Sequence, residues 1–409
     1  VKNSPLISGG YKLGKRLLFQ QLRVAGIPVI HFEETRENTG NEAMLILDAP
    51  TLAVKAITSE LEDVSALGRL FDMDVLCPDG RKVDRQELGL PGRTCLLCGN
   101  SAQVCARSRT HSVAQLQAKT RQILLEAQLE ADCADAARFA VQALLYEVAA
   151  TPKPGLVDRE DSGSHSDMDF FTFQASAAAL YPYFSECVRI GRSAHTPEKA
   201  FQRLRLPGKL AEGEMLRATG GVNTHKGAIF SIGILCGALG RLDRSRWGDP
   251  RQILAECAAM TRGLVSRDYA GLTEETAATA GQKLYLQYGI TGVRGQVEAG
   301  FPAVAELGLP KLEAALAAGK DWNDAGCAAL LAMLAGTEDT NMIHRGGYDK
   351  AKAVSEKLKA ILEKEPFPGR ETLEALNREF VSDNLSPGGT ADLLAIVYFL
   401  YFLKEEVHV

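Results

Sequence analysis

Residues 113–150 contain no Gly or Pro, and their apolar side chains (Leu116, Ile123, Leu124, Ala127, Ala137, Val141, Leu144, Leu145) recur at spacings of three and four. That spacing predicts one or two long helices with a buried stripe, including the connection between two domains. Before it, residues 1–112 mix signals. Short β-branched or aromatic runs at 27–32, 44–47 and 70–76 are bounded by Gly, Pro or Asp, residues 52–67 carry helical spacing, and Pro78-Asp79-Gly80 marks a turn. After Pro152, polar loops alternate with apolar helical runs at 170–190, 226–240, 250–265, 325–334, 350–362 and 391–403. Abundant Ala, Gly and Leu with few alternating β-branched residues favours close helix packing. The expectation is an α+β domain over residues 1–120 and a larger all-α helical domain over 121–409.

The totals narrow the function class. A 409-residue chain that is 46% hydrophobic fills real cores, so disorder is excluded. A net charge of -5 argues against nucleic acid as partner. Nine cysteines, an odd number scattered unevenly, read as reduced thiols and point to a cytoplasmic protein. The most apolar stretches, 228–239 and 391–403, fall short of the roughly 18 residues a membrane span needs, so no membrane partner is expected. The chain begins at Val1, in what reads as the middle of an ordered region, so the first domain is expected to be truncated at its N-terminus.

Polar, glycine-bearing loops punctuate the helical part. In TPKPGLVDREDSGSHSDMD (151–169), Lys153 and a flexible Gly155 precede Asp158, and His165, Asp167 and Asp169 follow. Carboxylates such as Asp167 and Asp169 suit a hard divalent cation bridging to phosphates; capping of the helix at Phe170 is the competing reading. In GGVNTHKG (220–227), Asn223 or Thr224 can cap, and Lys226 lies in the first helical turn, where a cation is unfavourable unless an anion arrives. Asp339-Thr340-Asn341 with His344-Arg345, Ser386-Pro387-Gly388-Gly389 with Asp392, and Gly292-Val293-Arg294-Gly295 are further loops suited to oxyanions, against plain N-caps.

In the first domain, Asp72 and Asp74 occupy alternate positions of the expected strand LFDMDVL, which points both to one face. Such a pair suits a two-carboxylate Mg²⁺ site for nucleotidyl transfer and makes the α+β domain nucleotidyltransferase-like; a solvated edge strand is the alternative. Arg107, Arg109 and His111 form a cationic cluster suited to phosphates. Cys95, Cys98, Cys105 and His111 offer zinc donors, but their spacing matches no common ligand pattern, and buried or incidental thiols are the favoured reading.

The segments PKPGLVD with SHSDMD, GVNTHKGAIFSIG, GVRG, EDTN with HRGG, and NLSPGGTADLLA resemble the triphosphoribosyl-dephospho-CoA synthase family across residues 130–405. GRLFDMDV, RTCLLC and CARSRTH resemble apo-citrate lyase phosphoribosyl-dephospho-CoA transferase. Together they imply a bifunctional fusion. The first activity would join ATP and 3'-dephospho-CoA with release of adenine. The second would place phosphoribosyl-dephospho-CoA on a serine of the citrate lyase acyl carrier subunit with release of pyrophosphate. The resemblance implies Mg²⁺ entering with ATP at Asp158, Asp167 and Asp169, and a second ion at Asp72 and Asp74. Triphosphate is assigned to Lys153, Lys226, Gly388 and Gly389, other substrate contacts to His165, Asn223, Arg294, Arg345 and Ser386, and proton transfer to His225 and Asp339, with Asp158, Asp72 and Asp74 also catalytic. Gln296 and Ser164 depart from the family's acidic residue and Ala. A helical Mg²⁺-dependent nucleotide or ADP-ribose hydrolase, a carrier-protein scaffold binding CoA-like groups, and prosthetic-group synthesis for malonate decarboxylase stand as alternatives. Assembly as a homo-oligomer is left open.

Overall fold

The computed structural model describes residues 3–408, and the chain divides into two compact units after Ala131. The first opens with α1 (Pro5–Val24), capped where the Ser4 hydroxyl accepts the Ile7 amide. An antiparallel hairpin of β1 (Val29–Glu37) and β2 (Gly40–Leu47) follows, its pairing of Glu37 with Gly40 leaving a two-residue loop. Then come α2 (Thr51–Asp63), α3 (Ala102–Ser108) and α4 (Val113–Ala149), the last a single unbroken helix.

The expected third strand at 70–76 does not join the sheet, which among the described residues holds β1 and β2. Side chains and a neighbouring loop take its backbone groups instead. Met73 N donates to Glu62 Oε1 at 2.8 Å, Arg93 donates to the Phe71 carbonyl at 2.9 Å, and Val83 N donates to the Val75 carbonyl at 2.9 Å. The period of two survives without a ladder: Asp72 and Asp74 are exposed, while Phe71, Met73 and Val75 are more sheltered.

The second unit is helical. Its elements are α5 (Phe170–Ala179), α6 (Tyr181–Ser193), α7 (Pro197–Ala218), α8 (Lys226–Arg241), α9 (Pro250–Thr261), α10 (Leu264–Asp268), α11 (Ala280–Tyr288) and α12 (Gly292–Glu298). After a π-helical turn at Ala303–Gly308 come α13 (Leu309–Ala317), α14 (Trp322–Gly336), α15 (Thr340–Gly346), α16 (Tyr348–Lys364), α17 (Arg370–Ser382) and α18 (Gly388–His408). The run at 170–190 is two helices because Pro182, early in α6, has no amide to continue the ladder. The run at 250–265 breaks where Gly263 turns left-handed.

Helices α8, α14 and α18 carry the core, with Ile232, Leu235, Leu330, Leu331, Leu394 and Leu400 fully buried. Small residues make this density possible. A Cβ added to Gly191 of α6 would meet the Gly237 carbonyl of α8 at 2.0 Å, so only glycine allows that crossing. Among the described residues, no helix is long and apolar enough to cross a membrane.

Candidate active site

The N-terminal turns of α8, α12, α15 and α18 border one cavity of about 1050 Å³ in the second unit. A single buried carboxylate fixes two of these turns. Asp339 Oδ1 accepts the amides of Asn341 (2.9 Å) and Met342 (3.1 Å), capping α15, while Oδ2 accepts the Thr390 amide (2.7 Å) and hydroxyl (2.8 Å) at the start of α18. Burial pushes its pKa up against those donors. With both oxygens engaged, Asp339 is a joint between helices, and the expectation that it transfers protons is corrected.

Two further carboxylates line the cavity. Asp392, one turn into α18, accepts the Ala228 amide, and a Cβ on Gly227 would lie 1.9 Å from its Oδ2. The start of α8, expected to meet phosphate, therefore already faces a carboxylate. Burial first, then the charges of Glu147 and Asp339, hold Asp392 well above the usual carboxylate range. Glu147 of α4 is also raised by burial, although Lys153 opposes the shift. Sequence reasoning missed Glu147. It is the one charged side chain in residues 139–152, on the helical face of Ala143 and Leu144, and that isolation was the available signal.

Lys153, 1% exposed, donates its ammonium to Glu147 and does not line the cavity. Its expected triphosphate role is corrected on that ground. The loop around it is scaffold. Thr151 N donates to Asn323 Oδ1 at 2.8 Å, and Gly155 N donates to Asn377 Oδ1 at 2.9 Å. Gly155 is not flexible: at φ +70° it packs so that a Cβ would meet the Leu385 carbonyl at 2.2 Å. Asp158 accepts the amides of Lys153 (2.9 Å), Glu160 (2.8 Å) and Asp161 (3.1 Å), which consumes both oxygens on the loop. Asp169 caps α5 by accepting the Thr172 amide at 2.8 Å and hydroxyl at 2.7 Å. Of the three carboxylates expected to hold Mg²⁺, only Asp167 lines the cavity, and the three do not converge.

His225 is buried, and its Nδ1 lies 2.7 Å from the Ser176 hydroxyl, which itself receives a hydrogen bond from Thr224 at 2.8 Å. With Thr224 donating to it, Ser176 can give its own proton to Nδ1, which leaves Nε2 protonated. That Nε2 has no protein partner, and the residue lines the cavity. Burial, assisted by Lys153, drops the pKa to about 3, so the imidazole is neutral at physiological pH. In that state it offers the cavity an Nε2–H donor.

Residues far apart in sequence meet on another wall. His165 Nε2 lies 2.8 Å from the Ser386 hydroxyl, and Arg345 reaches His165 Nδ1 at 3.4 Å and the Ser164 carbonyl at 3.0 Å. Burial, then Arg345, depresses the His165 pKa. Asn223, Lys226, Gly388 and Gly389 border the same space, with Lys226 Nζ 3.0 Å from Glu212. Lys352 and Lys359 of α16, absent from the sequence reading, add positive charge to the lining. Arg294 does not: its Nε donates to Asp268 at 2.9 Å outside the cavity, while Gln296 lines it.

In the first unit, Asp74 pairs with Lys82 Nζ at 2.6 Å, which raises the lysine's pKa, and Asp72 is exposed. Arg107 and Arg109 are also exposed, but His111 turns away from that expected cluster toward Cys95, Cys98 and Cys105.

A cavity lined by raised carboxylates and cations beside four helix entrances suits a phosphorylated substrate. Residues 133–408 match the CitG family, ATP:dephospho-CoA triphosphoribosyl transferase, and residues 1–127 match the CitX family, apo-citrate lyase phosphoribosyl-dephospho-CoA transferase. Protein CitXG of Haemophilus influenzae is 35% identical over 400 residues, spanning 94% of this chain and 84% of that protein. Protein CitXG of Leuconostoc mesenteroides subsp. cremoris is 34% identical over 381 residues, 88% of this chain and 80% of that one. The 2-(5''-triphosphoribosyl)-3'-dephosphocoenzyme-A synthase of Pectobacterium atrosepticum is 42% identical over 267 residues, 64% of this chain and 87% of that enzyme. The chain belongs to the CitXG family, with the transferase CitX ahead of the transferase CitG.

Proposed function

We propose that the second unit joins ATP to 3'-dephospho-CoA. The 2'-hydroxyl of dephospho-CoA forms a bond to C1' of the ATP ribose, the bond from C1' to adenine breaks, and the triphosphate stays on the transferred ribose. The reading rests on one observation, the pairing of raised carboxylates and cations in a single cavity. Asp392 takes the hydroxyl proton. Glu147 faces the positive charge that develops at C1'. The Nε2–H of His225 hydrogen-bonds to the departing adenine, which takes up through solvent the proton that Asp392 removed from the hydroxyl. Arg345, Lys352, Lys359 and the free amides of Gly388 and Gly389 hold the triphosphate. Asp167, the one of the three expected metal carboxylates that lines the cavity, would hold a Mg²⁺ accompanying ATP, which would neutralise phosphate charge there. The product then serves as donor in the first unit. A serine hydroxyl of the citrate lyase acyl carrier subunit bonds to its α-phosphorus and pyrophosphate leaves, with Asp72 and Asp74 of a nucleotidyltransferase-like segment toward Mg²⁺.

Incubation with ATP and dephospho-CoA tests the first step. Adenine release that requires both substrates, with the triphosphoribosyl adduct seen by mass spectrometry, supports it. Release of phosphate or ADP instead would establish the hydrolase. Labelling of the apo carrier of malonate decarboxylase, and not that of citrate lyase, would reassign the second step.

A further inference from the structure

The first unit holds a four-donor cluster that neither transfer reaction uses. One ligand atom each from Cys95, Cys98, Cys105 and His111 lie within 4.8 Å of one another. The Cys98 and Cys105 sulfurs are 3.4 Å apart. A tetrahedron with Zn–S bonds of about 2.3 Å has S···S edges of roughly 3.8 Å, so this spacing brackets a zinc ion. The Nε2 of His111 is buried with no hydrogen-bond partner, a cost that a metal bond would remove. We propose that Cys95, Cys98, Cys105 and His111 bind one Zn²⁺ as a closed structural site.

Local backbone explains how an unfamiliar spacing converges. Cys95 and Cys98 flank a tight knuckle: Gly99, at φ +76°, donates its amide to the Cys95 carbonyl at 3.1 Å, and Cys95 N donates to the Asn100 carbonyl at 2.5 Å. Amides of Leu97 and Cys98 aim at the Cys95 sulfur, and the Cys98 and Cys105 sulfurs are in contact. Arg109 then adopts a left-handed conformation at the end of α3, reversing the chain so that His111 returns to the sulfurs. Binding releases the remaining thiol protons and takes the imidazole neutral through Nε2.

Four protein donors leave no open coordination position, so the ion positions chain and performs no chemistry. What it positions is the carboxylate segment. Arg93, two residues before Cys95, donates to the carbonyls of Arg69 (3.1 Å) and Phe71 (2.9 Å), and Leu96 within the knuckle packs with Leu67, Leu70 and Phe71. Zinc therefore latches the backbone that carries Asp72 and Asp74.

The full chain, purified without added metal and analysed by mass spectrometry for elements, should carry about one zinc. Cys98→Ser and His111→Ala should each lower this below about one-tenth, whereas Cys77→Ser, outside the cluster, keeps it. Cobalt in place of zinc should give thiolate charge-transfer bands and the intense visible bands of a tetrahedral ion. Protein stripped of zinc by a chelator that is then removed, and assayed with Mg²⁺ in excess, should lose carrier labelling about tenfold or more while adenine release stays within about twofold, a split separable from any failure of the synthase reading. A chain that takes up no zinc when supplied with it, an octahedral cobalt spectrum, or a Cys98–Cys105 disulfide in the freshly isolated protein would overturn the proposal.

Discussion

The tripeptide Asp-Met-Asp occurs in both units, at 72–74 and at 167–169, and the two copies do different work. In the second unit Asp169 is spent on capping α5 while Asp167 and Met168 line the cavity. In the first, Asp74 is held by Lys82, Asp72 is exposed, and the intervening Met73 is clamped through its amide by Glu62. Identical residues thus become a helix cap in one place and an exposed carboxylate pair in the other. The hydrogen-bond partner decides, and three-residue motifs do not encode it.

The sharpest way to break this contrast lies deeper in the cavity. If the carboxylates that react in the second unit are Asp392 and Glu147, Asp392→Asn should slow adenine release by about a thousandfold or more with little change in melting temperature. Near-normal turnover by that variant would return the chemistry to the loop at 151–169. In the first unit, Asp72→Asn should reduce carrier labelling by about a hundredfold and leave adenine release unchanged, since no step of the synthase reaction involves it. Equal loss of both activities would refute the separation.

The loop itself answers to stability before activity. Gly155→Ala combines a left-handed backbone with an overlap on the Leu385 carbonyl, and should cost about 3 kcal/mol or more in thermal unfolding of the second unit. A smaller effect on pH dependence follows from His225. Unfolded, it binds a proton near pH 6.5; folded, only near 3, so its contribution to stability is complete above pH 6.5 and is lost as pH falls toward 3. The raised carboxyls act with opposite sign, so the measurement compares His225→Gln with the parent at each pH. The variant should begin to unfold roughly one pH unit lower, and an unchanged acid limb would mean that His225 is protonated in the folded protein.

Much of this was legible in advance, and for physical reasons. The long helix and the apolar helices α8 and α18 follow from periodicity, which is local, whereas the runs at 27–32 and 44–47 read as strand without their pairing. His165, Arg345 and Ser386 stand out one by one as polar residues in glycine-bearing loops, and only the fold shows that they meet. What failed was assignment of partners. Asp158, Lys153 and Arg294 were read as ligand contacts, yet each is satisfied by protein: backbone amides, Glu147 and Asp268. Those partners come from the loop itself or lie up to 26 residues away, and spacing alone does not say which side chains meet. The cysteines show the same limit from the other side, since a left-handed turn at Arg109 brings together donors whose spacing in sequence matches no common ligand pattern.

Asp169 sets the lower end of the scale and tests the comparison most directly. Its carboxylate is exposed and held below its ordinary pKa by the Thr172 hydroxyl and amide, an interaction present above the unfolded pKa and lost as pH falls. Asp169→Ala should therefore lower the melting temperature by about 2–4 °C at neutral pH, with the difference shrinking in acid, as expected for loss of a cap. Adenine release should stay within about threefold, because the residue reaches the cavity only through the start of α5. Asp169→Asn and Asp169→Ser separate the two roles: both restore a capping acceptor, and neither supplies a carboxylate. Recovery of melting temperature and activity together in these variants would fix Asp169 as a cap, whereas recovery of stability alone would show that this carboxylate is needed for the ion.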